Sequence, residues 1–256
     1  MIDIHELHLK DLQNPLHPSA FEEYNDYRIL ILRLPEQLGK KTKIHSYGFI
    51  LSEKNVFYYD KTQEAFTQFP DGINALYLFL DKKVNVLMDD IETVQEKIAS
   101  IESSLYKKLT SAFMDHWHDL KKELSRSERV IRKTVDVLKL FIAKSNATEA
   151  LPINEFNDLY EHLERTLRSN VAANDQLDNL YRYYSLRSSD RMNRSIYILT
   201  IISVIFLPLN LVVGFFGMNT GGLPFQHAMG TMDAFISMIV FATLLTVGVL
   251  WKIQKE

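Results

Sequence analysis

The chain has 256 residues, a formal charge of −3, a pI near 6.3 and no cysteine. That length fits one or two domains. The acidic balance argues against a nucleic-acid partner, and the missing thiols exclude a disulfide framework or a thiolate metal site.

No apolar run opens the sequence, so no signal peptide is expected and membrane insertion falls to later segments. Residues 1–80 read as a small mixed α/β domain. Ile2, Ile4 and Leu7 are expected to begin a strand. Asn14-Pro15 and His17-Pro18 punctuate a loop. The runs Tyr27–Leu34 and His45–Ser52 are rich in β-branched and aromatic residues and predict strands. Asn55–Tyr59 and Ala65–Phe69 complete a meander.

Asp71 is a candidate N-cap for the helix that follows. No Pro or Gly occurs between Leu76 and Ala143, so residues 81–152 predict a helical hairpin region with an extended antiparallel pair. Val84, Leu87, Ile91, Val94, Ile98, Ile101 and Leu105 recur at helical spacing and form a packing seam. The stretch Lys144–Pro152 is a break. Asn154 is a candidate cap for a new helix whose apolar stripe is Phe156, Leu159, Leu163 and Leu167. From Glu155 to Phe216 only Pro208 interrupts an otherwise helix-compatible run, which predicts one helix of over 60 residues. Its part at 153–195 is a stalk.

Ile196 to Phe216 holds 21 uncharged residues. A helix of that length spans roughly 30 Å, the thickness of a bilayer's hydrocarbon core. Residues 196–217 are therefore a first membrane span, 218–232 an outer loop and 233–252 a second span. Arg182, Arg187, Arg191 and Arg194 precede the first span, Lys252 and Lys255 follow the second, and the loop has no Lys or Arg. The positive-inside rule places both termini in the cytoplasm, with about the first 190 residues cytosolic.

The first span carries more than an anchor needs. Asn193, Ile196, Thr200, Ser203, Leu207, Asn210, Gly214 and Gly217 follow one another in steps of three and four, which places them on one helix face. That face holds most of the polar and small residues of the span. Polar groups in a membrane face protein or water. A helix-packing seam and a pore-lining stripe satisfy that requirement equally.

Gly217-Met218-Asn219 closes the span, followed by TGGLP and preceded by FLPLNLVVGFF. A Gly-Met-Asn tripeptide between the first and second of two C-terminal spans resembles the CorA superfamily of divalent-cation transporters. The TGGLP continuation resembles its ZntB-like zinc branch. The likeness is sharp over residues 193–251 and architectural upstream, where the α/β domain is shorter than the family's. It implies an α+β fold with a long helical stalk, a two-helix membrane hairpin and a homopentameric funnel in the inner or plasma membrane. The stripe then lines the pore, and Gly217, Met218 and Asn219 form the filter.

The mechanism expected is passage of a divalent cation, zinc or magnesium, with cobalt and nickel as further candidates. One Asn219 carbonyl per chain requires a closed ring of subunits to surround an ion. Neutral oxygens suit a hydrated cation, since Mg2+ sheds water reluctantly. Zinc prefers Cys, His and carboxylate ligands, which the stripe lacks. The resemblance nevertheless puts zinc slightly ahead, so the ion stays open. Leu207 and Ile196 would form apolar constrictions. No resident cofactor is expected. Extending the stripe into the stalk gives Arg168, Ala172, Asp175, Asn179, Arg182, Leu186 and Ser189, either a wet funnel wall or a solvated face. Arg182 on a cation path calls for a partner such as Asp178 or Asp175.

Other features are weaker. His116 and His118 lie two apart and do not share a helix face. Asp89, Asp90 and Glu92 read as a solvated face, and His227 as a lone loop histidine. No catalytic constellation is present, so the chain is not expected to be an enzyme. The rivals are a membrane-anchored oligomeric scaffold without transport and an anchored enzyme with a pocket in residues 1–70.

Overall fold

The computed structural model describes residues 4–39, 42–52, 55–107, 109, 112–145, 151–217 and 229–253. The near-continuous apolar run at residues 29–34 makes sense only when both faces of its strand are covered. β2 (Arg28–Glu36) is the middle of that arrangement. It pairs with β1 (Ala20–Glu23) on one side and β3 (Lys43–Leu51) on the other, and β4 (Val56–Asp60) and β5 (Ala65–Gln68) extend the sheet. The order is β1-β2-β3-β4-β5, antiparallel throughout.

Alternation sorts the strands' side chains onto two buried faces. Leu30, Leu32, Leu34, Tyr47 and Phe49 join the main core. Tyr27, Ile29, Ile31, Ile50 and Tyr59 form a second cluster on the other face with Leu12. Leu12 comes from α1 (Glu6–Gln13), a helix where a strand was expected. His5 accepts the Leu7 amide on Nδ1 at 3.3 Å and caps it. Leu7 stays 60% exposed, while Leu12 buries against Gly48, where a Cβ would stand 2.6 Å from Leu12 Cδ2. Ile2 lies outside the described residues. The meander is present, with β1 as an additional strand. Its single buried apolar residue, Phe21, packs edge-on against Phe141.

The main core is completed by α2 (Gly72–Lys107), α3 (Ala112–Ser145) and the first part of α4 (Ile153–Phe216). Of the predicted α2 seam, all but the partly exposed Ile101 are buried. Ring contacts give the helix directions. Tyr77 and Tyr106 of α2 meet Phe156 and Tyr183 of α4, so these two run parallel. Phe141 and Phe113 of α3 meet Phe156 and Tyr184, so α3 runs against both, as the expected antiparallel pair requires.

Two expected caps differ. Asp71 offers its backbone carbonyl to the Asn74 amide at 3.1 Å, and Gly72 enters α2 at φ +50°. Asn154 is inside α4, because the first turn closes one residue earlier, Phe156 N–H donating to Pro152 O at 3.1 Å.

The chain divides into two units, Met1–Tyr184 and Ser185–Glu256. The second contains the rest of α4, which is continuous to Phe216 as expected, and α5 (Gly230–Ile253). An 18-residue window of α4 has a mean hydropathy of 2.5 and no part of it is buried within the chain. The described apolar run of α5 is shorter, Phe235–Leu245, inside a helix of 24 residues.

Candidate functional site

The stripe on α4 is built by helix geometry alone. Asn193, Ile196, Thr200, Ser203, Leu207, Asn210, Gly214 and Gly217 are all exposed, Leu207 at 70%. The partly covered residues Ile201, Ile205, Leu209 and Val212 step along a different face. Ile205 lies two residues from both Ser203 and Leu207, about 200° away around the helix. Residues on other faces, such as Leu199 at 64% and Leu211 at 72%, are exposed as well, so what sets the stripe apart is its polar and small side chains.

Ile196, Leu199, Thr200, Ser203, Val204, Leu207 and Pro208 line an open, shallow groove of about 480 Å³. Within it, Thr200 Oγ1 donates to Ile196 O and Ser203 Oγ to Leu199 O, each at 2.9 Å. Their single protons are used inside the helix, so outward these hydroxyls present lone pairs only. Neighbouring groups on this face therefore see acceptors without charge. Among the described residues, Asn193 and Asn210 have no side-chain hydrogen bond, which leaves their amides free to turn.

Gly217 closes α4, its N–H donating to Val213 O at 2.8 Å. A Cβ there would sit 3.1 Å from that same carbonyl, whereas Gly214 has open space around it. Met218, Asn219 and His227 lie outside the described residues.

In the stalk, Arg168, Ala172, Asp175, Asn179, Arg182, Leu186 and Ser189 are exposed. Arg168 pairs with Glu164 at 2.8 Å. Asp178 is taken by Lys121 at 2.7 Å, and Arg182 forms no ion pair among the described residues. The neighbouring Trp117 Nε1 donates to Leu177 O, anchoring α3 to the stalk.

The remaining described candidates do not gather into a metal site. Asp90 accepts the Leu38 amide at 3.1 Å, a bond that ties α2 to the corner between β2 and β3. His116 is exposed and its Nδ1 lies 2.7 Å from Ala112 O. Among the described residues no group of three His, Cys, Asp or Glu could hold a metal ion. A cleft of about 1040 Å³ opens between α2 and α3, and only Gly39, Thr42 and Lys43 of its lining come from the first 70 residues. This cleft is therefore mostly lined by helical residues outside the first 70.

Beside the corner, burial works against charge on Glu36, but hydrogen bonds from Tyr47 and Lys83 outweigh it and hold its carboxyl below the ordinary range. Burial and then Glu36 push the Tyr47 phenol up.

The family model described as CorA-like Mg2+ transporter protein matches residues 1–255. The putative metal ion transporter YfjQ of Bacillus subtilis is 24% identical over 267 residues, covering 98% of this chain and 82% of that protein. The zinc transport protein ZntB of Yersinia enterocolitica is 26% identical over 197 residues, 72% of this chain and 55% of its own. The solved structure of the CorA magnesium transporter from Methanocaldococcus jannaschii matches with a TM-score of 0.79 at 20% identity, covering 95% of this chain and 82% of that one.

Proposed function

Because the chain belongs to the family of CorA-like Mg2+ transporter proteins, we propose that it passes a divalent cation through a central pore lined by the stripe of α4. The family is one of membrane proteins that transport metal ions, and the chain is not an enzyme. What supports the finer reading is the chemistry of the stripe. Its oxygens accept hydrogen bonds, its hydroxyl protons are committed inward, and it bears no fixed charge.

A single face cannot surround an ion, so the reading includes a ring of copies, a homopentamer by family likeness, with α4 innermost and α5 towards lipid. Asn219 forms the neutral filter at the outer mouth. Leu207 and Ile196 form apolar rings that close by dewetting. Both termini are cytoplasmic by the charge asymmetry of the flanks. Oxygen-only donors favour a cation that keeps its water, Mg2+ in particular. The likeness to a zinc transport protein keeps Zn2+ in the test.

That test is uptake of Mg2+ and of Zn2+ into liposomes carrying the purified protein. Asn219→Ala removes one contact to a charged guest, of about 1.5–3 kcal/mol, and is expected to change flux by about tenfold or more. Equal flux in wild type and variant would remove the filter. No flux of either ion in the wild type would favour the scaffold.

A further inference from the structure

We propose that the backbone carbonyl of Val204 is a cation-facing group of the pathway, left open by Pro208. It forms a wet station with Thr200 and Ser203 between the apolar positions Ile196 and Leu207. The proposal rests on the reading of α4 as the pore lining.

Every carbonyl inside an α-helix accepts from the N–H four residues further on. For Val204 that residue is Pro208, which has no N–H. α4 nevertheless continues through Pro208 to Phe216. The Val204 oxygen therefore lacks its helical donor. In membrane spans a Ser or Thr hydroxyl often fills such a vacancy. Here the span's one Thr and one Ser hydroxyl are committed elsewhere, Thr200 to Ile196 O and Ser203 to Leu199 O. No other side chain among the described residues donates to Val204.

An acceptor with no donor is costly in hydrocarbon. Val204 and Pro208 are instead part of the lining of the 480 Å³ groove, together with Thr200, Ser203 and Leu207. The lack of an N–H at Pro208 and the groove are separate observations, and they coincide at one turn of the helix.

The chemistry of the three oxygens selects the guest. Water around a cation points its hydrogens outward, so a hydrated cation presents donors to the wall. A wall of acceptors whose own protons are used internally is complementary to that shell. Around an anion each first-layer water spends one hydrogen inward, so that shell offers such a wall fewer donors. The station thus recognises a hydrated divalent cation by its outer water layer, without charge and without stripping it. Its place between Ile196 and Leu207 gives the ion a resting point between two apolar narrowings.

The experiment separates the vacant carbonyl from the proline ring. Pro208→Ala returns an N–H to the Val204 oxygen. A lactic-acid residue incorporated at position 208 has the alanine side chain but an ester in place of the N–H, so it leaves that oxygen open. Mg2+ flux into liposomes is measured for wild type, both variants and Asn219→Ala. The expectation is a loss of about five- to tenfold for Pro208→Ala, as for one hydrogen bond diverted, and flux near wild type for the lactic-acid chain. Equal loss in both would show that the ring or its bend matters and would overturn the proposal, as would unchanged flux in both. If Asn219→Ala changes flux while the two position-208 chains match, only this inference fails. If wild type carries no ion, the pore reading itself fails; if only Asn219→Ala leaves flux untouched, the filter falls and this inference is judged by the two position-208 chains alone.

Discussion

Gly39→Ala tests the corner that braces the two long helices α2 and α3. Gly39 sits at φ +76° between β2 and β3. Its N–H donates to Glu123 Oε2 of α3 at 2.8 Å, and its carbonyl accepts from Lys97 of α2. A Cβ there would stand 2.7 Å from Val94 Cγ2, and Val94 is 0% exposed. The left-handed backbone costs an alanine roughly 1–2 kcal/mol. Forcing a methyl into a filled core adds about 1–3 kcal/mol. A total near 3 kcal/mol corresponds to a loss of roughly 6–12 °C in melting temperature for a chain of this size.

The assay is thermal unfolding of the purified full chain in detergent, in a cycle with Val94→Ala. Trimming Val94 removes the clash but not the backbone penalty. In that background Gly39→Ala is therefore expected to destabilise by only about 1–2 kcal/mol. The same loss in both backgrounds, or a shift below about 2 °C in the wild-type background, would refute the packing argument.

Asn170 is fully buried on α4 and neither of its amide atoms has a partner among the described residues. Asn170→Leu is expected to stabilise the chain by about 1–3 kcal/mol in the same melt; destabilisation would mean that water supplies the missing bonds. Glu36 predicts a pH effect. Its carboxyl is lowered in the folded chain, so the stability it contributes is complete above the ordinary Glu pKa of about 4.3 and disappears as pH falls through the lower folded value. Glu36→Gln should flatten the dependence of denaturation midpoint on pH below about pH 4.3. An unchanged slope would mean that the Tyr47 and Lys83 bonds do not favour the charged form.

Much of the helical architecture was legible in the chain because its signal is local. The α2 seam from Val84 to Leu105 and the α4 stripe from Phe156 to Leu167 follow a 3.6-residue period, and all but Ile101 are buried. α1 and β1 were not legible. Ile4 and Leu7 alternate loosely enough to imitate a strand, and the burial that decides for a helix falls on Leu12, against Gly48 some 36 residues away. β1 has one buried apolar residue, Phe21, and pairs with β2 through backbone bonds that no side-chain pattern announces. On the candidate site, the polar face could be drawn from spacing. The consequence of Pro208 emerged only once both neighbouring hydroxyls were seen bonded to other carbonyls.

What the residues alone decide is which run is long and apolar enough to cross a membrane and on which helix face its polar and small residues recur. Both depend on the length of an uncharged run and on a repeat within seven residues, properties that need no partner in space. What folding decides is the use of the remaining polar groups. Asp90 and Glu123 became tethers for the β2–β3 corner, and Asp178 became the partner of Lys121. These pairs are separated by 52, 84 and 57 positions in the chain. A charge spaced that far from its counterpart leaves no local periodicity to read, so only the assembled helices and sheet reveal what it holds.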